Sequence, residues 1–219
     1  MTSLTKGTEV SDSYSVPITI TYKYDYLVIL PANYSPSEPL PVVLFLHGAG
    51  ERGEDLQIVK KHGPFKKISE AETPVIIVAP QCPKGEYWNT EVLSGLLDEV
   101  EKKYAVDKSR IYLTGLSMGG YGAWSLAAFE PHRFAAVAPI CGGGDPEDAR
   151  KLVDTPVWAF HGDKDTSVKL EKGQAMIDSL KDAGGNPKFT IYEGVGHDSW
   201  TETYNNDEFY KWIFAQHLQ

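Results

Sequence analysis

Residues 110–124 read RIYLTGLSMGGYGAW. The first six, RIYLTG, form a short apolar run rich in β-branched and aromatic residues, which suits a strand buried on both faces. The stretch that begins SMGGYGAWSLAAF suits a helix that starts at once, so strand passes into helix with almost no connecting loop. Ser117 stands on the turn, at the centre of Gly115-Leu116-Ser117-Met118-Gly119. Side chains two residues before and after it would collide in so tight a turn, which explains both glycines.

The alternation continues on either side. VVLFLH (42–47), VIIVAP (75–80), FAAVAPI (134–140), PVWAFHG (156–162) and KFTIYEG (188–194) all read as strands. Between them, 55–70 reads as a helix broken by Gly63-Pro64. Residues 90–104 carry Val92, Leu96, Leu97 and Val100 at helical spacing, with Thr90 as N-cap. Residues 168–183 form a helix stopped by Gly184-Gly185, and 206–218 a terminal helix with Phe209, Ile213 and Phe214 on one face. YSVPITITYKYDYLVIL (14–30) reads as two antiparallel strands. The expectation is an α/β fold: one domain over 1–219, a flexible stretch at 1–15, and a mostly parallel sheet of about eight strands with helices on both faces. Functional residues should then lie just beyond the carboxyl ends of the strands.

Composition narrows the function. The chain has 219 residues, is 42% hydrophobic and carries a formal charge of -9. Its lysines and arginines are scattered, so neither nucleic acid nor an anionic membrane is an expected partner. No apolar run approaches the roughly 20 residues that span a bilayer. The first fifteen residues hold no signal-peptide apolar core, which fits a cytoplasmic chain or a secreted one whose signal has been removed.

Ser117 is the candidate nucleophile. A serine hydroxyl needs a base, and the base needs a carboxylate to fix its tautomer. In the chain order expected on such a sheet, the acid and then the histidine follow the serine. His197, in GVGHD after the last strand, is the candidate base. Asp163 and Asp165, in HGDKDTSV after the fifth, are the candidate acids; Asp165 is preferred because it lies further along the turn. Asp198 should point elsewhere, His161 should pack or orient the acidic loop, and His62, His132 and His217 lie away from the strand tips.

LHGAGERG, GLSMGGYGAW, HGDKDTSV and GVGHDSW, spanning residues 46–200, resemble the α/β-hydrolase superfamily. More closely they are similar to small serine esterases of the phospholipase/carboxylesterase and feruloyl-esterase-like groups, some of them described as predicted peptidases. The resemblance implies a serine carboxylesterase using Ser117, His197 and Asp165. It also implies an oxyanion hole from the N–H groups of Met118 and Ala49, with Gly50 the second choice for the latter. GAGERG also matches the dinucleotide pattern G-x-G-x-x-G, but the next strand ends Ala79-Pro80-Gln81-Cys82 with no acid for a ribose, and the loop does not follow the first strand.

Residues 141–155 are too few for a substantial cap domain, so the site should be open. Short-chain or aromatic esters, of acetyl or feruloyl type and carbohydrate-linked or free, are the favoured substrates. Trp88, Trp200 and Tyr121 are candidate substrate-binding residues, and Glu51 and Arg52 are expected to brace the glycine loop as an ion pair. Cys82 and Cys141 end strands that the usual strand order puts three places apart, about 14 Å, whereas a disulfide needs Cα atoms within about 7 Å. Two free thiols, no metal and no cofactor are therefore expected. The rival readings are a serine peptidase of the same fold, disfavoured because no shielding domain of the prolyl-oligopeptidase kind is visible, and a catalytically inactive binding module.

Overall fold

The computed structural model describes residues 21–71 and 73–218. Seven strands form one sheet in the order β1-β3-β2-β4-β5-β6-β7: β1 Asp25–Ile29, β2 Leu40–Leu46, β3 Ile76–Gln81, β4 Val106–Leu116, β5 Ala136–Ile140, β6 Trp158–Gly162 and β7 Lys188–Tyr192. β1 runs antiparallel to β3 and every other pairing is parallel. Of the expected N-terminal strand pair, β1 is the second member. The first, together with the stretch 1–15, lies outside the described residues, as does an eighth strand if counted there.

Burial explains the apolar strands. Along β2, Val42, Leu44 and Leu46 enter one core cluster while Val43 and Phe45 enter the other, the period-two alternation of a strand covered on both faces. The first cluster is closed by α2 (Thr90–Lys103), α3 (Met118–Phe129) and α5 (Leu170–Asp182), through Leu93, Leu97, Trp124 and Met176. The second is closed by α1 (Phe65–Glu70), α6 (Trp200–Asn205) and α7 (Asp207–Phe214), through Ile68, Tyr204, Phe209 and Ile213. Side chains of this size, when fully buried, contribute about 1.5–3 kcal/mol each. The link between β5 and β6 holds only α4 (Pro146–Ala149) and a 3₁₀ turn, so no cap covers the strand tips there. No helix among the described residues is long and apolar enough to cross a membrane.

Two local expectations are corrected and a third holds. Asn89, not Thr90, caps α2, accepting from the Val92 N–H; Val92 is only half-buried, and Leu93 joins Leu96, Leu97 and Val100 in the core. The terminal helix is shorter than 206–218, begins after an Asn206 cap, and is preceded by the unanticipated α6. The expected break at Gly63-Pro64 is present, between a 3₁₀ segment, Leu56–Lys60, and α1.

One junction in the sheet is thin. β2 and β4 share a long register from Val42↔Ile111 to Leu46↔Gly115, whereas β5 meets β6 at Ile140↔Phe160 and, outside the strand spans, at Val137↔Val157. Its backbone hydrogen bonds include Cys141 N–H to Phe160 O at 2.8 Å and Val137 N–H to Pro156 O at 2.9 Å.

Candidate active site

The turn between β4 and α3 holds Ser117 at φ 53°, ψ −116°, a left-handed backbone that a non-glycine residue adopts only at a cost of about 1–3 kcal/mol. Close packing enforces it. A Cβ on Gly119 would overlap the carbonyl oxygen of Leu46, and one on Gly115 would overlap the Gly119 backbone. The Ser117 N–H is anchored on Ile140 O at 2.9 Å.

His197 and Asp165 reach Ser117 from two other strand tips. His197 Nε2 lies 2.9 Å from Ser117 Oγ, and His197 Nδ1 lies 2.7 Å from Asp165 Oδ2. A carboxylate only accepts, so Nδ1 carries the ring proton and Nε2 faces the serine hydroxyl as acceptor. The Asp165 side chain is buried and its other oxygen accepts from the Ser167 and Val168 N–H groups at 2.8 and 2.9 Å. His161 donates from Nε2 to Val168 O at 2.8 Å and stands 3.4 Å from Asp165 Oδ2, so it clamps the acidic turn. Asp163 has a different place: its Oδ1 accepts from the Gly194 N–H at 2.7 Å. That bond, with Lys164 N–H to Val195 O at 2.9 Å, ties the loop bearing the acid to the loop bearing His197. Asp198 turns away and accepts from the Thr201 N–H.

The glycine loop lies against this turn because Leu46 pairs with Gly115. Its carbonyls are held back by donors. His47 O accepts from Trp88 Nε1 at 3.2 Å, Gly48 O from His47 Nδ1 at 2.6 Å, Ala49 O from Arg52 Nε at 3.0 Å and Glu51 O from Gln81 Nε2 at 2.8 Å. Ala49 opens a 3₁₀ turn, Ala49–Glu51, and Met118 opens α3. The first N–H groups of a helical turn have no partner inside it, which leaves Ala49, Gly50 and Met118 with N–H groups to offer. His47 is buried and donates from Nδ1, so its Nε2 must accept the Cys82 N–H at 3.0 Å, and the ring is neutral. Burial pushes its pKa down to about 4, against a smaller opposing effect of the Gly48 carbonyl.

The aromatic candidates divide. Trp88 is half-buried: its indole N–H is given to His47 O, and its ring packs on Gly122, His47 and Tyr24, so it braces the glycine loop. Trp200 does border the site, edge-on to His197 at 5.3 Å and 89°, with a buried Nε1 that has no partner among the described residues. Tyr121 is half-buried on the Asp165 side, where burial and then the carboxylate's charge raise its pKa. The expected Glu51–Arg52 pair does not form. Arg52 holds Ala49 O and Glu86 O, at 3.0 Å each, while Glu51 is buried with His62 Nε2 3.8 Å away. His62, set aside from the sequence, in fact packs on Trp200 at 5.4 Å and so flanks the site. The thiols are free, as expected, and both are buried. Cys141 nevertheless lies close behind Asp165 and His197, which its place in the sequence did not reveal.

The family described as "Putative esterase" matches residues 19–212. The chain belongs to this esterase family. Its sheet, with Ser117 on the strand-to-helix turn, is the α/β-hydrolase fold. Among solved structures it is similar to a thermostable esterase, with a TM-score of 0.81 and 34% identity over 88% of this chain and 59% of that one. A bifunctional acetylxylan esterase/xylanase of Neocallimastix patriciarum is 26% identical over 166 residues, 72% of this chain and 24% of that protein. Feruloyl esterase C of Emericella nidulans is 26% identical over 125 residues, 54% of this chain and 46% of that protein. The chain thus spans between about a quarter and a half of the length of these curated relatives.

Proposed function

We propose that the chain is a single-domain serine carboxylesterase. The observation that carries the reading is the unbroken Ser117–His197–Asp165 hydrogen-bond chain, at 2.9 and 2.7 Å, on a strained turn beside a glycine loop whose carbonyls are turned away. Ser117 Oγ attacks the ester carbonyl while His197 Nε2 takes its proton. Asp165 holds the imidazole in register and stabilises its charged form. The N–H groups of Met118 and Ala49, with Gly50 behind Ala49, receive the oxyanion, where one donor typically contributes about 2.7–4 kcal/mol. His197 protonates the leaving alcohol, then activates water to release the acid from Ser117.

Short-chain or aromatic acyl esters, including carbohydrate-linked ones, suit the site best. Ala49 and Gly50 are exposed, the short β5–β6 link carries no cap over Ser117, and Trp200 and Tyr121 offer aromatic surface beside it. The acetylxylan and feruloyl esterase relatives support the same substrate class. Turnover of acetyl, butyryl, long-chain and feruloyl esters, with p-nitroanilide peptides alongside, tests the reading. Ester turnover should exceed amide turnover and fall at least about a thousandfold in Ser117→Ala, which should also lose fluorophosphonate labelling. Comparable turnover in the folded alanine variant would overturn it.

A further inference from the structure

Cys141 follows β5, buried, at φ 39°, in the second of the two non-glycine left-handed positions among the described residues. The reaction assigned above has no use for its thiol. The fold nevertheless sets its sulfur, a carboxylate oxygen of Asp165 and a ring nitrogen of His197 all within 4.8 Å of one another. Sulfur, imidazole nitrogen and carboxylate oxygen are the three donor types that bind zinc, at about 2.0–2.3 Å each, which puts tetrahedral ligands about 3.3–3.7 Å apart. Two of the three atoms are already closer than that, His197 Nδ1 and Asp165 Oδ2 at 2.7 Å, so small side-chain movements bring the set around one centre. His197 is the member free to move. Its side chain is a quarter exposed, and its loop contains Gly196 and Gly194, the latter at φ 74°. The buried Ser199 hydroxyl, which makes no hydrogen bond of ordinary length, lies against the thiol and supplies one more oxygen.

We propose that Cys141, Asp165 and His197 form an inhibitory site for a thiophilic divalent cation of the zinc and cadmium class. The ion forms bonds to the sulfur, to a ring nitrogen and to the carboxylate. The thiol proton leaves to solvent; when Nδ1 is the nitrogen bound, the single ring proton moves by way of solvent from Nδ1 to Nε2, so the ring itself releases none. Metal on Nδ1 leaves a neutral ring with its proton on Nε2, unable to accept from Ser117; metal on Nε2 blocks the base directly. Either way acyl transfer stops. That consequence rests on the esterase reading, while the binding itself does not.

The test uses the metal-free protein with Cd²⁺ or Zn²⁺ as the probe, followed in parallel by titration calorimetry and by p-nitrophenyl acetate turnover. The expected result is one equivalent bound with proton release, loss of turnover on the same isotherm, and recovery with EDTA. Cys141→Ser, and Cys141→Ala as a second variant, should keep metal-free turnover within about threefold, bind at least about tenfold more weakly and resist inhibition, with the fold checked by circular dichroism. Binding unchanged in both variants, or no binding to the wild type, overturns the proposal. Absence of turnover in the metal-free wild type counts against the esterase reading instead, and calorimetry then still decides whether the ion sits on Cys141.

Discussion

Acidification should loosen the glycine loop through His47 before it touches the rest of the core. The buried ring is neutral in the fold, with a pKa of about 4 against the usual 6.5. As pH falls through 6.5 the unfolded chain takes a proton that the folded chain refuses. The contribution of neutral His47 is therefore complete above 6.5, shrinks as pH falls, and is gone near 4. At about 1.36 kcal/mol per tenfold in proton affinity, its full size is about 3 kcal/mol, of which about 2–3 kcal/mol is lost between pH 7 and pH 4.5. Carboxylates titrate over the same range, so the wild type alone does not isolate the effect. His47→Gln does: its side-chain oxygen can accept the Cys82 N–H as Nε2 does now, but it takes up no proton. Urea unfolding of both proteins at several pH values gives a difference curve. That curve should move against the wild type by about 2–3 kcal/mol from pH 7 to pH 4.5. A flat difference curve would show that His47 accepts protons as readily folded as unfolded, and would refute the neutral, doubly bonded ring.

Asp165→Asn should lower ester kcat by about ten-thousandfold, because the amide favours the wrong imidazole tautomer, while Asp163→Asn, at a side chain held by the Gly194 N–H and Lys164, should cost tenfold or less. The reverse order would make Asp163 the acid. Gly119→Ala forces a methyl into the Leu46 carbonyl and should lower Tm by many degrees or prevent folding; an unchanged melting curve would contradict the close approach. Trp88→Phe removes the donor on His47 O and should reduce kcat about tenfold with KM little changed. A rise in KM alone would return Trp88 to the substrate surface.

The parts of the site that were legible in the sequence are those tied to strand ends. Ser117, Asp165 and His197 each follow a recognisable apolar run, so their convergence needed only the rule that the carboxyl ends of parallel strands share one edge. What was not legible depends on side-chain direction inside loops. Glu51 and Arg52 are adjacent, which suggested an ion pair. The 3₁₀ turn sends one inward and the other across the loop to Glu86. Trp88 looked like a rim residue by position, but its indole donor was needed on a buried carbonyl. His62 and Cys141 carry no spacing signal at all; they meet the site through Trp200 and through the β5 tip. In the fold, an Asn immediately before Thr90 took the place of the expected cap, and in the first turn Leu93 rather than Val92 faces the core, while Leu96, Leu97 and Val100 are buried as expected.

The thin β5–β6 junction divides the catalytic groups. Ser117 and the glycine loop stand on one side, and Asp165 and His197, 80 positions from Ser117 in the latter case, on the other. Refolding therefore cannot restore turnover when the helices reform or when β2 and β4 zip together, since the serine still lacks its base. Activity returns only once the β6–α5–β7 unit has docked, which makes it a clock for the last long-range closure of the chain. The same geometry makes a break in the 141–155 link a natural place to split the chain into two inert fragments whose reassembly would be reported by ester cleavage.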